Sequence, residues 1–154
     1  MEGFFKDLYR GDVPIEEKDI KRIKELVSSY YKVPERILEN IKLSYNKLPQ
    51  VYLILIKKFG SYIQVFYKPV AKILGFYDSD KKEIKIDYRL PYHQKIKTLI
   101  HEYIHAVQDY LGKLYKESRE KIEEEAYKVS NYLFKIYNQT SQKFPSFLNY
   151  LIPI

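Results

Sequence analysis

His101-Glu102-Tyr103-Ile104-His105 is the stretch that decides how the rest of the chain is read. It places two of the protein's three histidines four residues apart, with a glutamate directly after the first. On a helix, residues four apart lie on one face, about one turn from each other. Two imidazoles so placed can grip one metal ion, and the neighbouring glutamate can reach a water on that metal. The bland alternative is two ordinary helix histidines beside a surface glutamate.

The flanking residues supply the helix. Leu90-Pro91 opens it, and Gly112 is a stop signal. Between them Ile96, Leu99, Ile100, Tyr103, Ile104, Val107 and Leu111 recur at helical spacing, while Thr98, His101, His105 and Gln108 gather on roughly the opposite side. The spacing predicts a helix over 91–112 with a buried face.

A zinc ion with an open, catalytic position needs a third protein ligand. The chain has no cysteine, so that ligand must be histidine or carboxylate. His93 lies two helical turns before His101, too far along the same helix to close a site. A second helix is predicted over 116–138, with Ile122, Ala126, Val129, Leu133 and Ile136 as its stripe, and it carries Glu123, Glu124 and Glu125 in a row. With Ala126, Ser130 and Leu133 at the centre of the inward face, Glu123 falls about 60° away, Glu125 about 100° away, and Glu124 nearly opposite. Glu123 is therefore the expected ligand, and Glu124 and Glu125 are read as a solvated acidic patch near a helix start. With His101, His105 and Glu123 on the metal, Glu102 takes a proton from water and passes it to a leaving amine. A transition-state donor is usual in such sites, and tyrosine is so abundant that Tyr115, Tyr127 and others are equal candidates for it.

Upstream, residues 61–90 read as a small antiparallel sheet. Tyr62 to Tyr67 is rich in β-branched and aromatic residues, Ile73 to Tyr77 is a second short strand, and Asp78 to Lys82 is a turn. Glu83 to Tyr88 alternates, with Ile84 and Ile86 on one side and Glu83, Lys85 and Asp87 on the other. Residues 1–60 read as helices: one after Pro14 to about Tyr31, one after Pro34 to about Asn46, and a buried one from Pro49 to Phe59 ended by Gly60. The expected class is α+β, one mainly helical domain over 1–154. The tail, 139–154, ends in an apolar run, Phe144 to Ile154, expected to pack on the domain.

These residues resemble the gluzincin type of zinc metallopeptidase. Glu123-Glu124-Glu125-Ala126-Tyr127-Lys128-Val129-Ser130 is similar to the glutamate-helix pattern of the ImmA/IrrE-like peptidases, whose first glutamate is the zinc ligand. Strand, H-E-x-x-H helix and glutamate helix in that order also resemble the minigluzincins. The matched part spans about Gly75 to Leu133. The resemblance implies a zincin-like fold, a protein or peptide substrate, and an edge strand before the active-site helix that pairs with an extended peptide, here Glu83 to Tyr88. It also allows the apolar tail to lie in the cleft. Two departures stand out. Seventeen residues separate His105 from Glu123, and the spacing one or two longer in other gluzincins selects Glu124 or Glu125. Tyr127 stands where some of them carry an acidic residue.

Net charge is +7, with basic residues spread along the chain. A solvated basic surface explains it, and an acidic partner such as nucleic acid is the sharper reading, with a zinc-binding regulatory protein as the alternative function. No apolar run spans a bilayer and no leader-like segment opens the chain. Together with the absence of cysteine this gives a cytoplasmic expectation. Abundant Ile, Lys, Glu and Tyr with no Trp hints at a thermophilic source.

Overall fold

The computed structural model describes residues 13–141. The elements are α1 (Glu17–Tyr31), α2 (Arg36–Glu39), β1 (Lys42–Asn46), β2 (Gln50–Phe59), β3 (Tyr62–Lys72), β4 (Gly75–Asp78), β5 (Glu83–Asp87), α3 (Tyr92–Tyr110), α4 (Lys113–Lys116) and α5 (Arg119–Ser141). The class is α+β: a small three-stranded sheet followed by two long packed helices, α3 and α5.

The sheet is mixed rather than antiparallel. Its order is β1-β5-β4, with β1 parallel to β5 and β4 antiparallel to it. Ile84 and Ile86 of β5 are fully buried, as their alternation predicts, and face a core formed with Ile23 and Val27 of α1 and Leu99 and Tyr103 of α3. Side chains of this size contribute roughly 1.5–3 kcal/mol each when buried. The helix expected to about Asn46 stops at Glu39, and the residues beyond it form β1. Leu43 and Tyr45 are half-buried partners of Ile84 and Ile86, so pairing with a distant strand overrides a local spacing that also fits a helix.

The helix expected from Pro49 to Phe59 is instead strand β2, paired antiparallel with β3. Phe59 faces Tyr62, leaving Gly60 and Ser61 as a two-residue turn with Gly60 at φ 59°. Tight hairpin turns require that positive φ, and glycine adopts it without strain. Gly60 thus reverses a strand rather than ending a helix. β3 runs on through Pro69, which its edge position tolerates. Both strands form a sheet of their own.

α3 and α5 follow the expected ranges closely, with the short α4 taking up the corner after Gly112. Gly112 has φ 77°, the left-handed conformation of a helix stop. Among the described residues no helix is long and apolar enough to cross a membrane. The expectations for the apolar tail, Phe144 to Ile154, lie outside the described residues.

Candidate metal centre

β4, α3 and the first half of α5 bound a cleft of about 760 Å³. His101, Glu102 and His105 stand on its α3 wall and Glu123 on its α5 wall. His101, Glu102 and His105 have ligand atoms within 4.8 Å of one another and can hold a metal ion. A helix packed against a sheet thus carries an H-E-x-x-H cluster.

Hydrogen bonds behind the cluster determine what it presents to the cleft. The Gln108 side-chain nitrogen donates to the Ile122 carbonyl at 3.1 Å and to Glu125 Oε1 at 2.7 Å. Both partners only accept, so the other end of the amide, facing His105, is the oxygen. Gln108 Oε1 lies 2.8 Å from His105 Nδ1, which must donate to it. With Nδ1 in that bond, the nitrogen that His105 turns toward the cleft is Nε2, whose lone pair is the one open to a metal ion. His101 Nε2 is 3.2 Å from that atom. Burial, and then the neighbouring His105, lowers the His101 pKa and favours the neutral form of His101. Glu123 lies beside the group, with Oε1 3.2 Å from His105 Nε2 and Oε2 3.4 Å from His101 Nε2.

Glu102 is 5% exposed. Its carboxylate accepts the backbone N–H of Tyr77 in β4. Its second oxygen, Oε2, is buried with no hydrogen-bond partner among the described residues. Burial, reinforced by the charge of Glu123, pushes its pKa up to about 8. A buried, unsatisfied carboxylate oxygen carries a desolvation cost of about 1–3 kcal/mol and calls for a partner such as a water, an ion or a reacting group.

Three sequence readings are corrected here. Glu124 is indeed exposed and pairs with Lys128 at 2.9 Å, but Glu125 is not a solvated patch. It accepts from Gln108 and, at 3.0 Å, from Lys113. Its place on the flank of the apolar stripe turns it into the corner between α3 and α4. Second, the strand proposed to receive a peptide, Glu83 to Tyr88, is occupied on both sides: β5 pairs with β1 and β4. The edge strands are β1 and β4, and of the two it is β4 that borders the cleft, through Gly75, Phe76 and Tyr77. Third, Tyr115 and Tyr127 are no longer equivalent. Tyr127 lines the cleft with its ring centroid 4.8 Å from that of His101, whereas Tyr115 is absent from the lining. His93 is exposed and lies outside the cluster. Gln108, which sequence reasoning left without a role, is legible in hindsight: a polar side chain three residues after His105 on a helix buried almost all round.

Comparison of the chain with protein-family models, with curated proteins and with solved structures found no match.

Proposed function

We propose that the protein is a zinc-dependent endopeptidase, with His101, His105 and Glu123 as metal ligands and Glu102 as general base and acid. One observation carries the reading. His101 Nε2, His105 Nε2 and the Glu123 carboxylate oxygens lie 3.2–3.4 Å apart. Ligand atoms about 2.0–2.1 Å from a tetrahedral zinc ion lie about 3.3–3.4 Å apart, so these separations, with a different Glu123 oxygen nearest each ring, match those between groups that share one zinc ion. The Gln108 bond supplies the tautomer such a ligand needs, and two imidazoles with one carboxylate suit zinc. Three ligands leave the fourth direction for a small molecule, as catalytic sites do and structural sites do not.

The chemistry supplied by such an ion is Lewis acidity toward a carbonyl oxygen and toward water. The remaining work falls to the chain. Glu102 is held by the Tyr77 N–H through one oxygen, which leaves Oε2 to take a proton from water and return it to the leaving nitrogen. The outer edge of β4 offers backbone groups to an extended peptide, which would run along the cleft past Glu102. A structural zinc domain has no use for Glu102 in this position.

The test combines zinc stoichiometry with digestion of a peptide library read by mass spectrometry. One zinc per chain and cleavage abolished by a chelator are expected, and Glu102→Gln should keep the metal and lose turnover. An active Glu102→Gln protein overturns the mechanism. A second reading, a zinc-binding regulatory or nucleic-acid-associated protein, draws on the net charge of +7. DNA affinity that falls steeply with salt, without peptide cleavage, would favour it.

A further inference from the structure

Gly75 opens β4 where that strand packs against α3. A Cβ built there would meet Thr98 Cγ2 at 2.7 Å and the Lys85 carbonyl oxygen at 3.0 Å, with Glu102 Cγ at 3.6 Å. Carbon atoms rest about 3.5–4.0 Å apart, so the Thr98 contact is a clash. Lys85 lies on β5, the strand paired with β4. An alanine at this position is therefore caught between a neighbouring strand's backbone and the helix. Gly75 is not among the positive-φ residues, so backbone conformation is not what requires glycine.

The space this glycine leaves is used two residues later. Tyr77 donates its backbone N–H to Glu102 and its hydroxyl to Asp109 Oδ2 at 2.6 Å, where Lys82 Nζ also binds. The far end of β4 is thus clamped to α3, and the near end closes onto it only because Gly75 has no side chain. Thr98 and Glu102 are four apart on α3, so the atom that an alanine would strike lies one turn from the carboxylate on the same face.

We infer that Gly75 is a positioning residue for Glu102: by letting β4 seat against Thr98, it holds the Tyr77 N–H on the carboxylate and leaves the other oxygen unpaired in the group formed with His101 and His105. The kinetic consequence rests on the peptidase reading, whereas the contact itself does not.

The experiment compares the full-length chain with Gly75→Ala and with Gly75→Ala/Thr98→Ser, which removes the clashing methyl. Amide exchange followed by NMR reads the contact. In Gly75→Ala the Tyr77 amide should exchange about tenfold faster while the Ile104 amide inside α3 keeps its protection. Zinc stoichiometry should be unchanged. On a fluorogenic peptide kcat should fall about tenfold with KM nearly constant, the mark of an interaction used in the transition state. Thr98→Ser in the same chain should move both readouts back toward the parent. Unchanged exchange at Tyr77, exchange that accelerates equally at Ile104, or failure of the double variant to recover or fold would each overturn the inference. A parent chain that binds zinc and cleaves nothing removes the peptidase reading, and the exchange comparison still decides the role of Gly75.

Discussion

Gln108 Oε1 lies 2.8 Å from His105 Nδ1, three residues away on the same helix. This contact fixes which nitrogen of His105 faces the cleft, and it depends on the Gln108 amide being anchored from behind by Ile122 and Glu125. Outer partners of this kind typically change metal affinity by about 10–100-fold. Gln108→Leu, close in volume, should weaken zinc binding within that range when measured by competition with a chromophoric chelator. An unchanged affinity would show that the amide does not orient the ligand.

The three consecutive glutamates of α5 should separate cleanly. Glu123→Ala removes a ligand atom and should cost more zinc affinity than the ~10–100-fold of an outer partner. Glu125→Ala frees the Gln108 amide to turn and should cost less than Glu123→Ala but more than Glu124→Ala. Glu124 touches only Lys128 at the surface, so its loss should leave the affinity unchanged. A greater loss with Glu124→Ala than with Glu123→Ala would transfer the ligand assignment.

How much of this was legible follows from which interactions are local. The stripe from Ile96 to Val107 persists over three turns, so α3 and its polar face could be read directly, and helical projection was enough to tell which of the three glutamates lies beside the histidines. β1 could not be read, because Ile37, Leu38 and Ile41 continue a helical spacing and only Glu83–Asp87, some forty residues on, turns the next residues into a strand. Six consecutive apolar residues, Val51 to Ile56, have no period at all, and composition alone does not divide strand from helix there. Alternation in Glu83–Asp87 correctly gave the buried face. It carries no information about which strands lie at an edge, and for that reason the central strand β5 reads as one. Gln108 escaped notice because its function depends on Glu125, which reaches it only once α5 has folded back.

The Tyr77 hydroxyl offers a prediction about stability separate from the metal. It donates to Asp109, which is 9% exposed and also bound by Lys82. Hydrogen bonds to charged groups contribute about 1.5–3 kcal/mol. Tyr77→Phe should lower stability toward the smaller end of that range, since Lys82 remains on Asp109, and should leave zinc affinity intact because the backbone N–H is retained. Urea unfolding of the metal-free protein measures the first effect. A loss of zinc binding without a loss of stability would mean that the hydroxyl acts on the cluster rather than on the seating of β4.

Asp87 gives the fold its acid limit at the opposite end of the sheet. Its carboxylate accepts from Arg89 Nε and a second guanidinium nitrogen at 2.9 and 2.6 Å, and from the backbone N–H groups of Arg89 and Leu48 at 2.9 and 3.2 Å. The Arg89 bonds are the main cause of a pKa lowered from 3.8 to about 2. A carboxyl whose folded pKa is depressed stabilises the fold above its unfolded pKa, and that stability is lost as pH falls through the folded value. The loss should therefore run from about pH 4 down to about pH 2. Arg89 is 44% exposed on its side chain, so solvent screens the pair. The contribution at neutral pH is accordingly about 1 kcal/mol rather than the full linkage value. Asp87→Asn should lower the urea midpoint at pH 7 and flatten the profile between pH 4 and pH 2, so that the two proteins converge as the solution becomes more acid. Curves that stay parallel across that window would mean that the carboxylate charge is not what ties Leu48 and the end of β5 together.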